Sequence, residues 1–339
     1  MKNTFFTLIC AASVLSGTCL IAQSNYKTVS KIHIEGDGGW DYLNVDEHNN
    51  RLFVSHGTMA QAIDLSTGQL TGTIQDTKGI HGIAIAYDLN KGFTSNGRDS
   101  SVTIFNLETF EVITKIYVTG KNPDAILYDP FSQKVFTFNG GGNNSTVIDA
   151  KENKVIATIP LDGKPEFSAT DGKGKIFVNI EDKSVINVIN TVTLKVEQHW
   201  SIAPGEEPSG LALDNQNNRI FSVCSNKLMI VTDALSGRVI TSLPIGDRCD
   251  GVAFDPDLKR AYSSNGEGSI TVVQEESSDK FTVLETVKTQ PGARTIALNK
   301  KTHHLYLSTA EYLSEPSSSN RRPGIKPNSF VILDIETLK

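Results

Sequence analysis

Residues 123–165 of the chain read PDAILYDPFSQKVFTFNGGGNNSTVIDAKENKVIATIPLDGKP. The stretch contains four short runs rich in β-branched and aromatic residues, and turn-forming Asp, Pro, Gly and Asn separate the runs. This pattern predicts four antiparallel strands joined by three turns. Because the same order of runs and turns recurs along the chain, this unit decides the fold.

The recurring unit has a regular length. The residues that open the first strand of each unit follow one another at intervals of 40 to 44 positions, which is typical of four-stranded β-propeller blades. The sequence therefore predicts an all-β, seven-bladed β-propeller with four-stranded antiparallel blades and almost no helix. The seven opening residues are Asp41, His81, Asp124, Glu166, Ser209, Asp250 and Arg294.

The two ends of the chain are predicted to share one blade. The seventh unit stops after its third strand, whereas residues 26–35 align with the fourth strand at 110–118. The N-terminal strand should therefore complete the last blade and close the ring. Closure would remove the two open sheet edges that otherwise invite aggregation.

Residues 1–22 have the pattern of a secretion signal, with Lys2 followed by an apolar run and Ile21-Ala22 before a plausible cleavage point. We therefore expect residues 23–339 to form a single domain that is periplasmic or secreted, without a transmembrane span after cleavage and monomeric. The formal net charge of −6 argues against nucleic acid as a partner, since the phosphate backbone demands a basic surface.

Two cysteines, Cys224 and Cys249, remain after removal of the signal. Their strand positions place them on the same face of adjacent blades, and an exported protein meets an oxidising compartment. The sequence therefore predicts a disulfide bond between them, with two partly buried thiols as the alternative.

The second strands carry a further motif. Phe93-Thr94-Ser95-Asn96, Phe136-Thr137-Phe138-Asn139 and Tyr262-Ser263-Ser264-Asn265 each end in Asn before a glycine. With this ending the chain resembles the YVTN-repeat β-propeller family over about residues 26–339. The resemblance implies an exported bacterial propeller, and it implies no particular activity.

A ligand site is predicted at one end of the propeller axis. The starts of the first strands and the ends of the second strands meet on the face that carries the connections between blades, which we call the loop face. The opening residues above form an inner ring there, and His56, Asn96, Asn139, Glu181, Cys224, Asn265 and Thr309 form a second ring. Polar residues around a channel can also bind only water.

Ten of these residues are the candidate ligand-binding set: Asp41, His56, His81, Asn96, Asp124, Asn139, Glu166, Asp250, Asn265 and Arg294. The first hypothesis is a binding propeller that takes a small ligand, an ion or a protein partner on the loop face. The second is a lactonase-like hydrolase or lyase, with a divalent ion such as Ca²⁺ held by Glu166, Asp250 and Asn139 and with His81 as the catalytic acid or base.

The long segment 311–328 lies between the second and third strands of the last blade, on the loop face. Its three prolines and four serines predict an irregular loop. We expect it to cover the axial opening and to bring Arg321 or Arg322 towards the carboxylates, with a surface loop as the alternative.

Overall fold

The structure is a computed structural model that describes residues 24–36, 38–316 and 323–337. Its architecture confirms the predicted seven-bladed propeller, because seven separate four-stranded antiparallel sheets follow one another along the chain. The predicted signal at residues 1–22 lies outside the described residues. Within the described part, no helix has the length and apolar character needed to cross a membrane.

The strands are assigned to blades in chain order. The N-terminal strand is β1 (Tyr26–His33). Blade one contains β2 (Trp40–Asp46), β3 (Arg51–His56), β4 (Met59–Asp64) and β5 (Leu70–Ile74). Blade two contains β6 (Ile80–Ala86), β7 (Lys91–Asn96), β8 (Ser101–Asn106) and β9 (Val112–Tyr117). Blade three contains β10 (Pro123–Asp129), β11 (Lys134–Asn139), β12 (Asn144–Asp149) and β13 (Lys154–Pro160).

The remaining blades continue the same order. Blade four contains β14 (Pro165–Thr170), β15 (Lys175–Ile180), β16 (Val185–Asn190) and β17 (Lys195–Ser201). Blade five contains β18 (Pro208–Asp214), β19 (Arg219–Cys224), β20 (Leu228–Asp233) and β21 (Val239–Pro244). Blade six contains β22 (Cys249–Asp255), β23 (Arg260–Asn265), β24 (Ser269–Ser277) and β25 (Lys280–Lys288). Blade seven contains β26 (Ile296–Asn299), β27 (His304–Thr309), β30 (Val331–Thr337) and β1, and the helical turns Tyr87–Leu89 and Glu181–Lys183 are 3₁₀.

The ring closes as the sequence predicts, because β1 is the outer strand of blade seven and pairs antiparallel with β30. Tyr26 anchors the start of this strand. Its ring is buried edge-on against Tyr262 of blade six at a centroid distance of 5.8 Å, and its hydroxyl accepts a hydrogen bond from Arg260 at 2.8 Å. The N-terminal strand therefore joins the last blade to its neighbour as well as completing it.

The first strands of the blades crowd around the axis, which explains their small residues. A Cβ at Gly210 would lie 2.9 Å from the carbonyl oxygen of Asp250, and one at Gly251 would lie 3.0 Å from the backbone nitrogen of Ile296. Real Cβ atoms do not approach backbone atoms of a neighbouring strand so closely, so larger residues would force the blades apart.

Aromatic residues of the second strands fill the space between blades, as expected. Phe221 of β19 stacks on Phe254 of β22 in the next blade, with centroids 5.0 Å apart. Phe53 of β3 contacts Phe105 of β8 in the next blade at a centroid distance of 5.7 Å, with the two rings tilted. The hydrophobic core is thus a series of clusters between sheets, and burial of these rings stabilises the contact of each blade with the next.

The segment 311–328 is more regular than predicted. Its ends form a two-stranded hairpin, β28 (Tyr312–Pro316) paired with β29 (Pro323–Ile325). Pairing tolerates the prolines because they stand at the strand ends, where one fewer N–H donor costs little. Arg321 and Arg322 lie outside the described residues.

Candidate functional site

A backbone irregularity in the first strand positions each axial side chain. In β2 the pairing with β3 shifts between Trp40 and Leu43, and equivalent shifts occur near the starts of β6, β10, β14, β18 and β22. The second residue of each of these strands, such as Asp41, lies inside the shift. A bulge leaves this residue out of the regular ladder and re-aims its side chain, here towards the axis.

Serine hydroxyl groups of the second strands accept hydrogen bonds from backbone N–H groups that the bulges leave unpaired. The N–H of Asp41 donates to Ser55 Oγ at 2.8 Å, and the N–H of Gly82 donates to Ser95 Oγ at 2.9 Å. Ser95 Oγ in turn donates to the carbonyl oxygen of Asp124 in the next blade. The serine before the strand-ending residue therefore fixes the inner ring and links neighbouring blades.

Asp41, His81 and Asp124, from three successive blades, form the tightest cluster of the inner ring. His81 Nδ1 lies 2.6 Å from Asp41 Oδ2 and 3.5 Å from Asp124 Oδ1. All three side chains are half-buried, and one ligand atom from each lies within 4.8 Å of the other two. The structure thus brings together three residues that are 40 or more positions apart in sequence.

Two permanent cations neutralise other carboxylates of the ring. Arg294 Nε donates to Asp250 Oδ2 at 2.6 Å, and its Nη2 lies 3.3 Å from Asp41 Oδ1. Lys164 Nζ lies 2.7 Å from Glu166 Oε1 and also pairs with Glu181. Arg294 belongs to the predicted ligand-binding set, whereas Lys164 was not foreseen.

These residues line a cavity of about 720 Å³ at the axial opening. Its floor is Tyr42, a buried side chain whose ring packs on Phe167 with centroids 5.1 Å apart. Both residues line a second cavity of about 550 Å³ at the other end of the channel. Tyr42 lines both cavities and therefore lies between them.

Burial and repulsion between carboxylates disfavour charge on Asp124 and Glu166. Burial, aided by repulsion from Asp41 and Asp250, raises the pKa of Asp124 to about 6 against the pull of His81. Burial and the charge of Asp124 raise the pKa of Glu166 to about 8 despite Lys164. These two carboxyl groups therefore bind protons more tightly than they would in water.

The neighbouring carboxylates stabilise the positive charge of a protonated His81. Burial lowers the pKa of the imidazole, but the hydrogen bond to Asp41 and the charge of Asp124 outweigh burial, so the pKa is raised. A proton on Nδ1 thus serves as a cation between the two carboxylates.

Four of the predicted ligand-binding residues do not line this pocket. Asn96, Asn139 and Asn265 are fully buried inside their own blades. Each amide nitrogen donates to oxygens of the third strand, as Asn139 does to Asn144 Oδ1 at 2.7 Å and to Thr146 Oγ1 at 3.0 Å. The asparagine of the Phe/Tyr-x-x-Asn motif therefore joins the second strand to the third.

His56, the fourth residue, is buried beside blade seven. Its ring stacks on Phe330 at 4.3 Å, and its Nδ1 lies 2.8 Å from Gln61 Oε1. Of the predicted metal trio, Asn139 is hydrogen-bonded within its own blade, while Glu166 and Asp250 are paired with Lys164 and Arg294. Among the described residues, the acidic and imidazole side chains that come close enough to hold one metal ion are Asp41, His81 and Asp124.

The predicted disulfide bond is not formed, since Cys224 and Cys249 are both buried free thiols. Cys249 Sγ donates to the carbonyl oxygen of Cys224 at 3.1 Å. The two side chains pack in different hydrophobic clusters, Cys224 with Ile230 and Cys249 with Met229. Their sulfur atoms therefore belong to separate cores, although their strands are adjacent.

The sequence analysis missed Lys164, Arg248 and Tyr42 among the residues that line the pocket. Lys164 and Arg248 each stand two positions before an inner-ring residue, and that shared position was the available signal. Tyr42 stands where four of the other first strands have Gly or Ala, so its size was the signal. Tyr312 of the hairpin also lines the pocket and packs on Trp40 at 6.3 Å, which partly supports the expected cover over the opening.

Fold and pocket together define a seven-bladed β-propeller with a charged axial pocket on its loop face. No protein-family model matches the chain. Antigen Lp49 of Leptospira interrogans is 26% identical over 195 residues, which are 52% of this chain and 40% of that protein. The uncharacterized protein YncE of Salmonella typhimurium is 23% identical over 217 residues, which are 63% of this chain and 49% of that protein.

Solved structures agree with the fold. A chain of the hydrazine synthase of Kuenenia stuttgartiensis superposes with a TM-score of 0.70 and 18% identity, covering 89% of this chain and 97% of its own. A chain of the mitotic checkpoint complex gives a TM-score of 0.76 and 11% identity over the whole of both chains. These likenesses concern the fold alone. The chain spans about half the length of Lp49 and YncE or less. Together with these two relatives, the solved structures support a propeller family.

Proposed function

We propose that this protein is an exported binding propeller of YVTN-repeat type whose axial pocket holds a small, positively charged ligand. The repeat motif and the similarity to YncE and Lp49 support the family. Export rests on residues 1–22 and stays a prediction, as does a protein partner on the loop face.

The observation that carries the proposal is the charge balance of the pocket. Its lining contains five carboxyl groups, from Asp41, Asp124, Glu166, Glu181 and Asp250, and three permanent cations, from Lys164, Arg248 and Arg294, so the Nδ1 proton of His81 and a proton on a carboxyl group are needed to balance the remaining two. The carboxylates are half-buried or buried, so water cannot screen them fully. A cationic ligand that replaces bound protons would relieve this repulsion and would be held in place by the same charges.

The test uses a panel of small cations at constant ionic strength. Thermal shift and calorimetry with CaCl₂, ZnCl₂, putrescine and spermidine would be measured for the wild type and for a variant carrying Asp124→Asn and Asp250→Asn. Asp162→Asn, an off-axis carboxylate, is the matched control. We expect at least one saturable signal that the double variant loses and the control keeps. Absence of binding by every probe, or unchanged binding by the double variant, would refute the proposal.

One contact favours a second function, the lactonase-like hydrolase or lyase. His81 is oriented by Asp41 through a 2.6 Å contact, which is how a carboxylate commonly positions a general acid or base. Hydrolysis of p-nitrophenyl acetate and of a γ-lactone would be compared for the wild type and His81→Gln. A turnover that the variant loses supports the enzyme, and no turnover by the wild type contradicts it.

A further inference from the structure

We infer that the cation of the axial pocket is a divalent transition-metal ion bound by Asp41, His81 and Asp124. This inference rests on the proposed function and names the ligand class of the same site. It also replaces the oxygen-only calcium site expected from Glu166, Asp250 and Asn139.

The distances within the trio suit such an ion. Zinc lies about 2.0 to 2.2 Å from nitrogen and oxygen ligands, so neighbouring ligands of a tetrahedral site stand about 3.4 Å apart. His81 Nδ1 and Asp124 Oδ1 already have this separation, at 3.5 Å. The Nδ1 contact with Asp41 Oδ2, at 2.6 Å, is a hydrogen bond. It opens by less than about 1 Å when the Nδ1 proton leaves to solvent and the ion takes its place.

The donor set selects the class of metal. Ca²⁺ and Mg²⁺ prefer oxygen ligands, whereas an imidazole nitrogen favours Zn²⁺ and other transition metals. A neutral His81 with ionised Asp41 and Asp124 balances the two positive charges of the ion. Three protein ligands leave a fourth position, which faces the 720 Å³ cavity.

Tyr42 is a second, independent observation at this position. Its side chain is 9% exposed and forms the floor of the pocket, yet none of the described residues forms a hydrogen bond with its hydroxyl. The hydroxyl therefore opens into the pocket, where it is available to a fourth, non-protein ligand of the ion.

Neighbouring residues already position two of the three ligands, Asp41 and His81. Arg294 Nη2 contacts the second oxygen of Asp41 at 3.3 Å, which leaves Oδ2 for the ion. Gly97 provides space for the imidazole, since a Cβ there would lie 2.7 Å from His81 Nε2. Partners of this kind tune metal affinity, and their loss costs about 10- to 100-fold.

The experiment is a calorimetric titration of ZnCl₂ into untagged, chelator-treated protein, with CaCl₂ and putrescine titrated in parallel. His81→Gln and Asp124→Asn remove a ligand each. His199→Gln is the matched control, because His199 forms a similar contact with Asp162 away from the axis. Cobalt absorption reports the coordination geometry directly, and circular dichroism checks that each variant is folded.

We expect the wild type to bind one Zn²⁺ per chain and to show intense tetrahedral Co²⁺ bands. His81→Gln and Asp124→Asn should bind Zn²⁺ at least 100-fold more weakly, whereas His199→Gln should keep the wild-type affinity. Stoichiometric Zn²⁺ binding that His81→Gln keeps would overturn the site. Putrescine binding without Zn²⁺ binding would overturn the metal but leave the proposed function standing. Binding of none of the three probes would overturn both.

Discussion

Replacing Asp124 by Asn should stabilise the metal-free protein at neutral pH even though it damages the pocket. In the folded protein, burial and repulsion raise the pKa of this carboxyl to about 6 from a usual 3.8. The native state therefore binds the proton more tightly than the unfolded state, and ionised Asp124 opposes folding. Its cost is absent below about pH 4 and grows as pH rises through the window between the two values.

The full difference between the two pKa values corresponds to about 3 kcal/mol, at about 1.36 kcal/mol per pKa unit. This value already includes the attraction between Asp124 and a protonated His81, which lie 3.5 Å apart. We therefore expect a gain in the free energy of unfolding of up to about 3 kcal/mol at pH 7.5 and no gain near pH 4.

Urea denaturation of chelator-treated protein at pH 4 and pH 7.5 measures this change. Asp162→Asn is the control with the opposite sign. Burial opposes ionisation of Asp162, but hydrogen bonds from Asn187 and His199 outweigh it and lower the pKa. Ionised Asp162 thus stabilises the fold above its usual pKa, and Asp162→Asn should lose stability at pH 7.5. A loss of stability in Asp124→Asn at pH 7.5, or an equal gain at both pH values, would show the reasoning to be wrong.

Three further predictions concern ring closure, the space around His81 and the thiols. In urea titrations, Tyr26→Ala should lower the free energy of unfolding by about 3 to 5 kcal/mol, and Tyr26→Phe by about 1 kcal/mol. Urea unfolding curves equal to that of the wild type would contradict a closing role for β1. Gly97→Ala should displace His81 and weaken Zn²⁺ binding about 10- to 100-fold in calorimetry without altering charge, and unchanged affinity would contradict it. Burial raises the pKa of Cys224 and of Cys249 to about 12, so both should be alkylated in urea but not in the native protein, and a crosslinked pair in the mass spectrum would count against this account.

The fold could be derived from the sequence because propeller geometry leaves few choices at the axis. Each first strand has one polar residue at or near its start, as at Asp41, and in most blades a residue small enough for a crowded channel follows, as at Gly251. The same register recurs in every blade, so spacing alone was sufficient to count the blades. The match of residues 26–35 to an outer strand then identified the closing strand.

The pocket could be derived only in part. Residues within the bulges, such as His81, have one available direction, towards the axis, so their convergence was predictable. An asparagine at a strand end can point to a ligand or to its own blade, and hydroxyls of the third strand decide this for Asn139. Lys164 and Arg248 lie in connections whose path the strand pattern does not specify, and so they were missed.

Anomalous diffraction from a crystal soaked in ZnCl₂ tests the central claim most directly. The account predicts one strong peak per chain at the zinc edge, about 2.0 to 2.2 Å from Asp41 Oδ2, His81 Nδ1 and Asp124 Oδ1. A pocket without a peak, with zinc found only on surface histidines such as His199, would contradict it.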